Sequence, residues 1–207
     1  MVKKKLTNTG IIILAAGQSA RLGSPKQLLP INDKYLLQHI LDITSASLAQ
    51  NVVLVLGAFS DKIRSLVDIS NVHAVDNIDW QSGLSTSIIC GLDKILHIAP
   101  DTDNAIFVLC DQLYTSSAIL NEIFKVHRKT GAEIVLSNYG EAFGPPVLFH
   151  KNMFPYLKLL KGNEGAKTII KQFSEKVSEV HFPQGHIDID TLTDYQNILG
   201  QNPLLRM

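Results

Sequence analysis

Short apolar runs alternate with amphipathic stretches along most of the chain. Five of these runs are β-branched or leucine-rich at consecutive positions, which is typical of strands buried on both faces. They are Ile11–Ala15, Asn51–Leu56, Val72–Val75, Ala105–Leu109 and Glu133–Leu136. Strands separated by helical segments form βαβ units, so the pattern predicts an α/β fold with a mainly parallel sheet.

The segments between the apolar runs carry helical stripes. Apolar residues from Leu36 to Ile43 share one helical face, as do those from Ile119 to Phe124, and Gly131 stands where a helix C-cap is expected. The last third of the chain is less regular. It predicts helices over Asn152–Leu160, Gly165–Phe173 and Thr193–Leu199, and strands over Val147–Phe149, Val177–Phe182 and Ile187–Ile189.

Length and charge narrow the class of protein. At about 100–200 residues per domain, 207 residues predict one domain over 1–207. Lysine plus arginine equals aspartate plus glutamate at 19 each, and a neutral chain argues against a nucleic-acid binder. The first twenty residues lack a signal-peptide pattern, and no run approaches the ~20 apolar residues of a membrane span. We therefore expect a cytoplasmic protein that binds neither nucleic acid nor membrane.

The first predicted strand runs into a loop of small residues that also contains Arg21 and Lys26. Open α/β sheets bind ligands at the carboxyl ends of their strands, and small side chains let backbone N–H groups approach an anion. The loop is not a Walker A motif, because Ser24 and Pro25 follow Gly23, and it lacks the dinucleotide-binding glycine pattern. Composition alone leaves two interpretations open: a triphosphate site, or an ordinary βα turn with surface charges.

A second candidate segment, residues 76–87, follows the third predicted strand. Gly83 interrupts the chain, and Ser85 or Ser87 is predicted to cap the helix that follows. The N–H groups at the start of a helix form an anion site or a polar-edge site. The segment is therefore either a nucleoside-binding turn or an ordinary capped helix with Trp80 as a core anchor.

Two acidic motifs complete the set of candidates. Asp111 ends the fourth predicted strand, where it is placed either to bind Mg²⁺ or to cap the next helix. Near the end of the chain, alternation puts Asp188 and Asp190 on one face of a short strand, where they repel each other unless a cation lies between them. Asp194 is predicted to cap the final helix.

These strings resemble the nucleotidyltransferases of GT-A-like fold, in particular the MobA-like NTP transferase family on the side of the molybdenum cofactor cytidylyltransferases. Residues 14–26 match L-A-A-G-x-S-x-R-x-G-x-x-K at every fixed position, and residues 77–87 match N-x-x-W-x-x-G-x-x-x-S. The family motifs C-D-Q-P and D-I-D-T-P-x-D-L also match, except that Leu113 and Leu192 replace proline and Tyr195 replaces leucine. The resemblance covers about 11–199 and implies a Rossmann-like, three-layer α/β/α sandwich.

The resemblance also implies a role for each matched residue. By this resemblance, the catalytic residues are Arg21, Lys26 and Asp111. Mg²⁺ is bound by Asp111 and Asp190, with Asp188 the less favoured ligand. The nucleotide-binding set is Leu14, Ala15, Ala16, Gly17, Ser19, Arg21, Lys26, Asn77, Gly83, Ser87 and Asp111.

The implied reaction is transfer of a nucleoside monophosphate from an NTP to a small phosphorylated acceptor such as molybdopterin, with a molybdoenzyme as a further partner. CTP is favoured because guanylyl relatives tend to carry glycine within the Ala15–Ala16 pair. Residues 144–146 and 162–167 resemble family segments that border the acceptor site. Two alternatives stay open: a sugar- or alditol-phosphate nucleotidyltransferase, and a non-catalytic accessory protein that binds the molybdenum cofactor.

Overall fold

A computed structural model of the protein describes residues 8–201. Its strands are β1 (Thr9–Leu14), β2 (Pro30–Ile31), β3 (Lys34–Tyr35), β4 (Asn51–Leu56), β5 (His73–Asp76), β6 (Asn104–Leu109), β7 (Ile134–Asn138), β8 (Phe143–His150) and β9 (Val177–His181). Seven of them form one sheet in the order β5-β4-β1-β6-β8-β7-β9, and β2 pairs with β3 in a separate hairpin.

The sheet is mainly parallel, as the sequence predicts. Strands β5, β4, β1 and β6 run in one direction, β8 is antiparallel to both β6 and β7, and β7 is parallel to β9. At the centre, Ile12 pairs with Val53 on one side and Phe107 on the other. The carboxyl ends of β1, β4, β5 and β6 consequently meet at one edge, where open α/β sheets bind ligands.

Helices cover both faces of the sheet. They are α1 (Leu36–Ser45), α2 (Ser60–Leu66), α3 (Leu84–Ile98), α4 (Ser117–Thr130), α5 (Phe154–Leu157), α6 (Ala166–Gln172) and α7 (Leu192–Gln201). Helices α1, α2 and α4 bury their apolar stripes on one face, and α3, α5 and α6 do so on the other. This confirms the three-layer α/β/α sandwich. Within residues 8–201, no helix has the length and apolar character needed to cross a membrane.

Three predicted elements differ from the structure. Strand β8 runs from Phe143 to His150, longer than its apolar end suggested, because it pairs on both sides. The helix expected over 152–160 is shortened to α5 after a 3₁₀ turn. The strand expected over 187–189 does not form: Ile189 instead donates its N–H to the carbonyl of Asp111 and buries its side chain in a small apolar cluster.

Candidate active site

The loop after β1 is folded back on itself by internal hydrogen bonds. The buried side chain of Gln27 donates through Nε2 to the carbonyls of Ala15 (2.7 Å) and Gly17 (3.0 Å). The backbone N–H of Lys26 donates to Ser19 Oγ over 3.0 Å, which closes the loop. Gln27 was not identified as a site residue from the sequence. The one feature that could have indicated it is its position next to Lys26, the last residue of the loop motif.

A cavity of about 550 Å³ opens where this loop meets the carboxyl ends of β1 and β6. That volume lies within the range of small-molecule sites. Most of the predicted nucleotide-binding residues line it: Leu14, Ala15, Ala16, Gly17, Lys26, Gly83, Ser87 and Asp111. Three predicted residues do not line the cavity: Ser19, Arg21 and Asn77. Ser19 and Asn77 each form a hydrogen bond with a residue that does line it, Lys26 and Ser87 respectively. Arg21 instead binds Asp190 at the edge of the cavity.

The turn before α3 forms the opposite wall. Asn77 is buried and donates from Nδ2 to Thr86 Oγ1 (2.8 Å) and to Ser87 Oγ (3.0 Å), so it positions Ser87 at the cavity. Trp80 is half-buried: it packs against the core on this face of the sheet, as the core-anchor interpretation expected, and it also lines the cavity. The aromatic ring is therefore available to a ligand.

The start of α3 differs from the predicted serine cap. Gly83 occupies the N-cap position with φ at 112°, and no side chain caps the helix there. The N–H of Ser85 instead donates to the carbonyl of Gly162 over 3.1 Å. A Cβ on Gly83 would lie 2.2 Å from that carbonyl oxygen, so only glycine lets the two segments approach.

Gly83→Ala is therefore expected to displace the 162–165 segment and to lower both stability and nucleotide affinity. Left-handed backbone and the steric overlap together should cost about 1–3 kcal/mol. Gly131→Ala is the matched control, because Gly131 has φ of 69° but open space around its Cβ position. Thermal melting combined with calorimetric NTP titration would test this, and equal nucleotide affinities in the two variants would contradict it.

Four charged side chains meet at the edge of the cavity. The ammonium of Lys26 forms an ion pair with Asp111 Oδ2 and lies 3.5 Å from Asp190 Oδ1. Arg21 binds the other oxygen of Asp190 through Nη2 at 2.7 Å. Burial alone would lower the pKa of Lys26, but the neighbouring Asp111, with smaller contributions that include Asp190, raises that pKa above its usual value. Lys26 thus stays charged and bridges two carboxylates 79 residues apart in sequence.

Asp111 is not a helix cap. Ser116 caps α4 by accepting a hydrogen bond from the N–H of Ile119. One carboxylate oxygen of Asp111, Oδ1, is buried and has no hydrogen-bond partner among residues 8–201. A buried anionic oxygen without a donor is costly unless a cation or a ligand satisfies it.

The D-I-D segment is held beside Asp111 by the hydrogen bond from Ile189 N–H. Loss of hydration in the cleft raises the pKa of Asp188 to about 6, and the negative charges of Asp111 and Asp190 add to the shift. Thr191 and Asp194 form a capping box at the start of α7: Thr191 Oγ1 accepts from the N–H of Asp194, and the Asp194 carboxylate accepts from the N–H of Thr191, which gives Asp194 its predicted structural role. The acidic residues therefore divide into a cluster at the cleft and one structural cap.

A second cavity of about 430 Å³ adjoins the first. The two share Leu14, Leu84, Leu109 and Asn163 in their walls. The predicted acceptor-site segments both contribute to it: Gly144 and Pro145 from one, and residues 163–167 from the other. Its remaining wall is largely apolar and includes Phe107 and Phe143 from the sheet.

Comparison with known proteins places the chain in a family. The MobA-like NTP transferase domain matches residues 11–177. The chain is 28% identical to nicotine blue oxidoreductase of Paenarthrobacter nicotinovorans over 171 residues, covering 78% of this chain and 80% of that protein. It is also 28% identical to the purine catabolism protein PucB of Bacillus subtilis over 172 residues, covering 77% and 79%.

A solved structure agrees with the family match. The crystal structure of Rv0371c from Mycobacterium tuberculosis in complex with manganese has a TM-score of 0.80 and 26% identity, covering 95% of this chain and all of that chain (100%). The family match spans most of the chain and includes the loop, the turn before α3 and Asp111. The chain is therefore a nucleotidyltransferase of the MobA-like NTP transferase family.

Proposed function

We propose that this protein transfers CMP from CTP to a phosphorylated acceptor, with molybdopterin as the favoured acceptor, and releases pyrophosphate. One observation carries the proposal: Lys26, Arg21, Asp111 and Asp190 converge at the mouth of a cavity walled by the backbone of residues 15–17. Cations and carboxylates placed together beside a nucleotide-sized cavity suit phosphate chemistry.

The chemistry needs no covalent enzyme intermediate. An oxygen of the acceptor phosphate attacks the α-phosphorus of CTP, the bond from that phosphorus to the bridging oxygen breaks, and pyrophosphate leaves with the electron pair. Lys26 and Arg21 neutralise the negative charge that accumulates on the leaving group. The loop backbone and Ser87 hold the nucleoside, so the reacting groups meet in line.

The residues present fit a divalent cation. Asp111 Oδ1 is buried without a partner, and Asp190 shares the Lys26 ammonium with Asp111. Asp111 and Asp190 would hold the ion, Mg²⁺ in our proposal, and when bound it would neutralise phosphate charge beside Lys26. Within the described part of the chain, no three His, Cys, Asp or Glu residues form a metal site by themselves. The triphosphate would therefore supply the remaining oxygens, as is usual for Mg²⁺.

The deciding experiment measures pyrophosphate release with CTP, Mg²⁺ and each of two acceptors, molybdopterin and a sugar phosphate. Release with molybdopterin alone supports the proposal, and release with the sugar phosphate alone favours the sugar-phosphate alternative. Nucleotide binding without release in either mixture favours a carrier. Family membership does not fix the nucleotide or the acceptor, so this direct assay is necessary.

Base preference is a separate expectation. We expect CTP to be used in preference to GTP, because Ala15 and Ala16 line the cavity at positions where guanylyl relatives tend to carry glycine. Small differences in pocket shape change discrimination by ~1–3 kcal/mol, or about ten- to hundredfold. Competition between the two nucleotides in the pyrophosphate assay measures the ratio of kcat/KM values. A clear preference for GTP would assign the chain to the guanylyl branch instead.

A further inference from the structure

Gln112 follows the strand-ending Asp111 and forms part of the wall of the second cavity. The residue is 2% exposed. Its Nε2 donates to the carbonyl of Gly185 (2.8 Å) and to the hydroxyl of Tyr139 (3.0 Å). Because a backbone carbonyl only accepts hydrogen bonds, the amide nitrogen has to face Gly185, which fixes the orientation of the amide.

Tyr139 is itself held in one position. Its hydroxyl donates to the carbonyl of Pro145, so its oxygen is left to accept from Gln112. A Cβ on Gly185 would lie 2.1 Å from the tyrosine ring, and one on Gly144 would lie 2.7 Å from the hydroxyl. Burial raises the pKa of Tyr139 above its usual value, so the hydroxyl keeps the proton that it donates.

This network uses both N–H bonds of Gln112 and leaves its carbonyl unused. Oε1 is buried and has no hydrogen-bond partner in the described chain. Buried carbonyl oxygens are normally satisfied, so a ligand or an ordered water is expected to supply a donor. Asp188 lies on the same cavity wall, where its carboxylate also interacts with the Gln112 amide, and its remaining lone pairs add further acceptor capacity.

We propose that Gln112 is a specificity-determining residue for the acceptor, with Oε1 accepting a hydrogen bond from a ring N–H of a planar heterocycle, and that Tyr139 positions it. The inference rests on the proposed function only in naming this ligand as the acceptor. The apolar part of the wall, which includes Phe107 and Phe143, suits the faces of a planar ring, and the polar groups of the same cavity suit its edge.

A matched pair of probes tests the proposal by fluorescence titration of the intact protein. Lumazine carries two ring N–H groups, and 1,3-dimethyllumazine has the same rings without them. We expect the wild-type protein to bind lumazine at least about tenfold more tightly. The ratio of the two dissociation constants, that of 1,3-dimethyllumazine over that of lumazine, should fall close to one in Gln112→Met. Tyr139→Phe should lower this ratio several-fold, because it removes one of the two hydrogen-bond acceptors that hold Nε2.

Two variants outside both cavities serve as controls. Gln172→Met changes an exposed residue at the end of α6, and Tyr156→Phe removes a hydroxyl from a partly exposed ring; both should keep the wild-type ratio. Equal binding of the two probes by the wild-type protein, or no binding of lumazine, would overturn the proposal. So would an unchanged ratio in Gln112→Met, since a water would then satisfy Oε1.

The proposed function fails separately from this inference. A lumazine preference that depends on Gln112, found together with no CTP binding and no pyrophosphate release, would refute nucleotidyl transfer and leave the assignment of Gln112 intact. Pyrophosphate release together with a ratio of one would refute the assignment of Gln112 alone.

Discussion

Asp111→Asn is expected to lower the rate of pyrophosphate release by about 10²–10³-fold, the range seen when one preorganised electrostatic contact is lost. Asp111 pairs with Lys26 through one oxygen and keeps the other buried without a partner. The asparagine amide has nearly the same shape as the aspartate side chain, but it carries no negative charge at either of the two carboxylate oxygen positions. The effect should therefore appear in turnover, measured by pyrophosphate release at saturating CTP and Mg²⁺.

The same substitution should lower the stability of the ligand-free protein slightly, by about 1–2 kcal/mol. The Lys26 ammonium lies between Asp111 and Asp190, so it relieves the repulsion between the two carboxylates, and the amide loses a favourable ion pair. Asp190→Asn should act in the same direction but more mildly, since Asp190 is more exposed. Asp103→Asn, in an exposed ion pair with Lys151, is the control. Near-normal turnover in Asp111→Asn would contradict the proposed role of Asp111 in the mechanism.

Lys26→Ala is expected to weaken CTP binding by about ten- to hundredfold and to slow turnover by about 10²-fold or more. Lys26 lines the first cavity, and its ammonium remains charged because its pKa is raised. Calorimetric titration with CTP measures the first effect. Arg21→Ala should weaken binding too, without loss of stability, because its side chain is largely exposed.

Removing Lys26 also leaves Asp111 without its cation, so the free energy of unfolding should fall by about 1–3 kcal/mol. The double variant Lys26→Ala/Asp111→Asn should recover part of that stability and none of the activity, which separates the ion pair from catalysis. Lys34→Ala breaks an exposed pair with Asp42 and should leave the free energy of unfolding almost unchanged, since solvent screens such pairs. Unchanged CTP affinity in folded Lys26→Ala would contradict the assignment.

Much of the central sheet could be predicted from sequence because its strands carry the signal locally. Strand β4 has the predicted bounds, Asn51–Leu56, and β1 and β6 agree within two residues. Consecutive β-branched residues leave few alternatives for a segment covered on both faces. The C-cap at Gly131 could also be predicted from the local sequence, because the left-handed backbone conformation that ends many helices favours glycine.

The sequence by itself determined the fold class, the loop after β1 and the candidate charges, because each depends on spacing along one short segment. Only the tertiary structure decided that Lys26 lies between Asp111 and Asp190, that Gly162 meets Gly83, and that Tyr139 orients Gln112. The strand expected near residue 189 was lost for the same reason: hydrogen bonding and burial against a distant segment outweighed the local alternating pattern. Contacts between residues far apart in sequence depend on how the elements pack, and local periodicity does not record them.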